Sequence, residues 1–308
     1  MQKGTHSYLS DPRNKNVKIF INGKIYSRKK AKISVFDSGF LLGDGVWEGI
    51  RLLNGKLVFL DKHLDRLFYG AKKLSINIGC QPKELVSFIQ DTIDINKMTT
   101  GVHIRIIVSR GLKITPYQHP NANLGSCSIV IIPEYKIPNK KLNIKGIKLA
   151  TVTTQRGTAY NQDPKLNTLS KQNCISACIE ADRVGADEGI MLDVNGNVST
   201  CNSTNFFMIK NSEIWTSTGE YCLPGITRQT IINLCINNDI SVFEKNFLID
   251  DVHRADEAFV TGTFGGVIPA INIDSIKISE GRRGKMTHNV QKLYSNFLNK
   301  MYPIISHD

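Results

Sequence analysis

Four short polar turns, each set between apolar runs, constrain this chain more than any other feature. Asn22-Gly23 separates Val17–Ile21 from Lys24–Tyr26, and Asn54-Gly55 separates Trp47–Leu53 from Lys56–Leu60. Asn195-Gly196 follows Gly189–Val194 and precedes a run from Val198, while Asn211-Ser212 joins Phe206–Ile209 to Glu213–Thr216. Asparagine and glycine tolerate the positive φ that tight hairpin turns require. Hairpins make antiparallel neighbours, so a chain with this many is not a plain run of parallel βαβ units.

Helical spacing fills the gaps between the hairpins. Asp61 reads as the N-cap of a helix through Leu64, Leu67, Phe68 and Leu74, whose spacing makes one apolar face. A second helix is predicted from Pro82 to about Ile95, with proline suited to the first turn. Others cover about Lys171 to Arg183, Thr227–Asn238 and Lys285–Leu298, and Gly185 is placed to end the first of these. Val102–Ser109, Ser128–Pro133, Ile147–Thr153 and Glu257–Gly262 read as strands. The fold class is therefore α/β in the mixed α+β sense. At 308 residues the chain suits two domains. Glu134 to Gly146 is polar and carries Pro138 and four lysines. It divides a small α/β domain, residues 1–138, from a large one, residues 147–308, with residues 139–146 as the linker.

Charge and cysteine usage narrow the function classes. The formal charge is +12, yet the basic residues form only short runs such as Arg28-Lys29-Lys30 and Lys140-Lys141. Without an aromatic-basic stripe this reads as a solvated surface, and no nucleic-acid partner is expected. No apolar run approaches the roughly 20 residues of a membrane span. Met1–Asn16 is polar and reads as a frayed arm without the apolar stretch of a secretory signal. Seven scattered cysteines, with no CxxC pair, suggest no metal site and a reducing, cytoplasmic setting.

Several segments carry recognisable chemistry. They are Phe36-Asp37-Ser38-Gly39-Phe40, Gly43 through Arg51, His63-Leu64-Asp65-Arg66-Leu67, Ala186-Asp187-Glu188-Gly189, Val198–Phe207, Leu223 through Arg228, and Thr261-Gly262-Thr263. In this order they resemble class IV pyridoxal-phosphate enzymes, the family of branched-chain and D-amino acid aminotransferases and aminodeoxychorismate lyase. The resemblance implies the two-domain class IV architecture, pyridoxal 5'-phosphate as cofactor, and an aminotransferase of the branched-chain type. It also implies a small amino donor and keto acceptor, and a homodimer.

The resemblance assigns roles by position. Arg66 supplies a fixed cation for the cofactor phosphate, since its planar fork suits that group. Ile226 and Thr227 offer backbone N–H groups at a helix start. Gly262 and Thr263 complete the cup, with glycine letting the backbone approach, and Asn205 joins the cofactor contacts. Trp47, His103 and Arg105 match positions on the substrate side. The Arg-x-His pair of D-amino acid enzymes has its counterpart at Tyr117-Gln118-His119, without the arginine, which argues against that substrate class.

Two positions depart from the family. A gap-free count back from Glu180-Ala181 places Asn167 where the Schiff-base lysine belongs. Lys165 stands two residues earlier, and a shift of two keeps strand parity. Lys165 is therefore the expected catalytic amine, with Lys171, or no Schiff-base lysine at all, as the alternatives. Thr200 stands where a glutamate holds the pyridine nitrogen protonated, and its neutral hydroxyl could donate to an unprotonated nitrogen instead. Thr200 thereby favours lyase, elimination or racemase chemistry, and the displaced lysine favours a binding protein without turnover.

Overall fold

The computed structural model describes residues 4–304 and divides them into two units. One comprises residues 9–137 with the outlying segment 166–171, and the other comprises residues 4–8, 138–165 and 172–304. Residues 1–3 and 305–308, part of the expected arm and the end of the large domain, lie outside the described residues. Residues 4–16 form two short 3-10 turns, Gly4–His6 and Pro12–Asn16, where a frayed arm was expected.

The first unit is a six-stranded antiparallel sheet. Its order is Lys24–Ser27, Lys18–Ile21, Ser128–Tyr135, Val102–Ser109, Gly45–Leu53, Lys56–Leu57. Burial alternates along Val102–Ser109, with Ile104, Ile106 and Val108 fully buried. The period of two sends His103 and Arg105 to the opposite face. Helices Leu60–Lys73 and Pro82–Ile95 bury Leu64, Leu67, Leu85 and Ile89 into the same core. The first of them starts after Phe59, a left-handed N-cap residue at φ 55°, and Asp61 falls inside its first turn. The segment 166–171 joins this unit through the strand Gly45–Leu53. Trp47 N donates to Asn167 O at 2.9 Å, Leu169 N to Gly45 O at 2.9 Å, and Thr168 bridges Val46.

The second unit is a nine-stranded mixed sheet. Its main path runs Val198–Cys201, Glu188–Leu192, Ile147–Thr151, Gly266–Ile273, Glu257–Gly262, Asn205–Lys210, Glu213–Thr216, Val242–Glu244. Ile147–Thr151 pairs in parallel with both its neighbours, and the remaining pairs are antiparallel except the last. Its core gathers Ile147, Leu149, Ile190, Phe206, Met208, Val260 and Ile268. Part of the expected linker is helical, at Leu142–Lys145, and belongs to this unit.

Candidate functional site

In the second unit, three elements converge on one helix start. The helix Ile226–Ile236 follows Gly225 at its N-cap, with no side chain capping it. The first N–H groups of a helix have no acceptor within it. Ile226 and Thr227 are buried all the same, so their amides require an acceptor from elsewhere. Asn205 fixes the lead-in, its Nδ2 donating to Leu223 O at 3.1 Å. A Cβ at position 225 would stand 2.0 Å from Asn205 Oδ1, so glycine is required there.

Asn205 pairs with Thr261 in antiparallel register, and Thr261 Oγ1 is buried without a partner. Gly262 and Thr263 follow, both half-buried. A buried, uncapped helix start packed against a strand that carries an unpartnered hydroxyl suits an anion. These residues fit a phosphate group. The packing demand falls on Gly225 rather than Gly262, where a Cβ would meet only the Thr204 methyl at an ordinary 3.4 Å.

Thr200 is buried in the same unit, and its hydroxyl is already committed. Oγ1 donates to Thr204 O at 2.8 Å, so the proton expected for a ring nitrogen is in use. Thr204 Oγ1 in turn donates to Glu188 Oε2 at 2.7 Å, and Thr5 Oγ1 donates to Glu188 Oε1. Burial raises the Glu188 carboxyl above its ordinary value, against hydrogen bonds from Thr5, Thr204 and Ser203 that pull the other way.

The first unit holds a second buried carboxylate. Glu48 shares the core face of its strand with Val46, Ile50 and Leu52. His63 Nδ1 lies 2.6 Å from Oε2, Arg66 Nε donates to Oε1 at 2.7 Å, and Arg66 Nη2 donates to Oε2 at 2.8 Å. The i, i+3 spacing puts His63 and Arg66 on one helix face, which lets both reach one carboxylate. Burial alone would raise Glu48, but the His63 and Arg66 hydrogen bonds and the Arg66 charge outweigh it and hold the carboxyl at about 2. Arg66, the expected phosphate cation, thus has much of its fork engaged by Glu48. Sequence reasoning quoted Glu48 and His63 within motifs but gave them no role. The usable signal was an acid at an inward position of a strand.

Trp47, His103 and Arg105 share the other face of this sheet. Trp47 pairs with Ile107, and Gly49 and Arg51 pair with Arg105 and His103. The Arg105 guanidinium stacks 4.0 Å from the Trp47 ring centroid. Burial lowers Arg105 from its ordinary value, opposed by the charge of Glu134. Trp47 Nε1 donates to Thr168 O at 3.1 Å, tying the aromatic to segment 166–171. The three expected substrate residues are therefore together, while Arg66 belongs to the helix packed on the opposite face.

Lys165 is exposed and lies in a turn, so the parity argument for it does not apply. Its N–H donates to Asp163 Oδ1 at 2.9 Å. The preceding carbonyl of Pro164 accepts from the buried Arg156 Nη2 at 3.4 Å. Lys171 places its ammonium 5.8 Å from the Trp47 ring centroid. Asn167 is buried at 6% exposure, with Nδ2 at 3.5 Å from Glu48 Oε1 and Oδ1 without a partner. Among the described residues no group of three or more His, Cys, Asp or Glu is arranged for a metal ion, and no helix is long and apolar enough to cross a membrane.

Comparison with known proteins bears on this arrangement. Residues 45–273 match the amino-transferase class IV family. The branched-chain-amino-acid aminotransferase-like protein 2 of Arabidopsis thaliana is 38% identical over 93% of this chain and 51% of its own length. The chain thus spans about half of that relative. D-alanine aminotransferase of Listeria monocytogenes is 28% identical, covering 90% of this chain and 95% of the relative. Among solved structures, the branched-chain amino acid aminotransferase from Escherichia coli superposes with a TM-score of 0.82. It is 27% identical, with 96% of this chain and 97% of that one covered. Another solved branched-chain amino acid aminotransferase, with pyridoxamine 5'-phosphate, superposes with a TM-score of 0.85 at 26% identity, over 94% of this chain and 96% of that one.

Proposed function

This chain belongs to the class IV aminotransferases, whose cofactor is pyridoxal 5'-phosphate, and from that premise we propose that it transfers the amino group of a small amino acid in the manner of the branched-chain type. The observation that carries the reading is the buried, uncapped helix start at Ile226 and Thr227, shaped by Gly225 and Asn205. These amides, with Gly262 and Thr263, would hold the phosphate, and by the family resemblance Arg66 adds positive charge. When bound, the pyridine ring supplies an electron sink for amino-group chemistry. Asn205 keeps the helix start in place, and Thr200 presents only lone pairs, having donated its proton to Thr204 O. Arg105, stiffened by stacking on Trp47, and His103 beside it would orient a substrate carboxylate.

The same reading takes a small amino donor and a keto acceptor as substrates and a homodimer as the assembly. A cytoplasmic setting is supported by seven free cysteines. The test is to add pyridoxal 5'-phosphate and follow visible absorption and melting temperature, then add branched-chain amino donors. A coloured, heat-stabilised protein whose band converts with donor supports the function. Protein that stays colourless and unshifted refutes it. One observation, the exposure of Lys165, favours a second reading in which the chain keeps binding without turnover. In that case the bound cofactor is stabilising but no donor converts it.

A further inference from the structure

Asn167 has the attributes of a residue built to meet a ligand. Its backbone is pinned to the strand Gly45–Leu53 by the Trp47 N–H, and its neighbours Thr168 and Leu169 are pinned to the same strand. The ladder fixes where the side chain points. The amide is nine-tenths buried, its Nδ2 faces Glu48, and its Oδ1 has no donor. Glu48 fixes the flip of the amide, since a carboxylate accepts and does not donate. Leaving a buried acceptor unsatisfied is unfavourable, because the water it gave up is not replaced. A ligand that brings a hydrogen-bond donor recovers that cost.

The position matters because the gap-free count from Glu180-Ala181 places Asn167 at the family's amine. An amide nitrogen is not a nucleophile, because its lone pair is delocalised into the carbonyl. Neither neighbouring lysine makes up for it. Lys165 is exposed in a turn held at Asp163 and at the Pro164 carbonyl, and Lys171 lies over the Trp47 ring.

We propose that Asn167 replaces the amine, so that this chain holds the cofactor reversibly, with no covalent bond, and selects its amine form. The inference rests on the cofactor reading above and extends its second form, binding without turnover. The 4'-amine of pyridoxamine 5'-phosphate is a charged donor for Oδ1. The aldehyde of pyridoxal 5'-phosphate sets one acceptor against another. A preference of about tenfold or more for the amine form follows from the ordinary strength of a charged hydrogen bond to a buried acceptor.

The experiment uses the full chain with each cofactor form as probe. Affinities come from calorimetry, and borohydride reduction followed by peptide mass mapping locates any covalent pyridoxyl group. The expected results are tighter binding of the amine form, removal of the aldehyde form by gel filtration, and no labelled peptide. Asn167→Leu should abolish the preference while leaving residual binding through the phosphate. Asn167→Lys should become labelled at residue 167, and Lys165→Ala should leave the labelling pattern as it was. A wild-type label at Lys165 or Lys171, or equal affinity for the two forms, overturns the inference and leaves the cofactor reading standing. Failure to bind either form overturns both.

Discussion

The two units each bury one glutamate, and they treat it in opposite ways. Glu48 is met by a guanidinium and an imidazole and is held ionised at about 2. Glu188 is met by threonine hydroxyls, with its carboxyl raised by burial. Both are near-fully buried, so burial does not explain the difference. The donors do. A charged donor repays the loss of water around an anion, whereas neutral hydroxyls repay only part of it, and burial then still favours the protonated acid. One polar core is thus an ion cluster that fixes Arg66. The other is a chain of hydroxyls that connects, through Thr204, to Thr200.

Removing the charged donor is the strongest way to break this contrast. Arg66→Ala leaves the Glu48 carboxylate buried with less than its full set of partners and should destabilise the first unit by about 3–5 kcal/mol. Thr204→Val removes one neutral donor from Glu188 and should cost only about 1–3 kcal/mol. Denaturant unfolding of the two variants compares them directly. Equal losses would show that hydroxyls and cations stabilise these carboxylates alike. Arg66→Ala should also weaken phosphate binding.

Acid and base titration sharpen the comparison with a smaller effect. The folded Glu48 value is depressed from an ordinary 4.5 to about 2. Its contribution is therefore complete above about 4.5 and lost as pH falls through about 2. The folded Glu188 value is raised instead. Its contribution is complete below the ordinary carboxyl value and lost as pH rises through the folded one. Melting temperature against pH should thus lose part of its acid limb in Glu48→Gln. In Glu188→Gln it should lose part of its decline on the higher-pH side. Identical profiles in the two variants would remove the distinction.

Sequence reasoning reached the parts of this molecule whose causes are local. The helix Pro82–Ile95 and the strand Val102–Ser109 have the expected limits, because proline at a first turn and period-two alternation act within a few residues. The strand Gly266–Ile273 went unread, because Pro269 inside it argues against a central strand. Its place in the sheet comes from pairing on both sides with Ile147–Thr151 and Glu257–Gly262. The site divides along the same line. The helix start at Ile226 and the cation at Arg66 are marked by their own segments. The setting of Asn167 depends on residues 166–171 adding to a strand some 120 positions earlier, a contact between segments far apart in sequence, and that of Glu48 on the helix that brings His63 and Arg66 over its strand.

The smallest expected effect is that of Glu188→Gln at neutral pH. A glutamine keeps the shape of a protonated carboxyl, retains one acceptor, and turns the other position into a donor. Thr5 and Thr204 hydroxyls can rotate to accept as well as donate. Stability should therefore change by about 1 kcal/mol or less, the range of a substitution that breaks no buried pair. The same variant asks whether Glu188 acts as a substitute acid for the ring nitrogen in place of the missing glutamate. Its path to Thr200 runs through Thr204, whose own hydroxyl already ends on Glu188. The absorption of bound cofactor should then match in Glu188→Gln and wild type. A shifted band, with stability unchanged, would instead show that Glu188 carries negative charge felt by the ring.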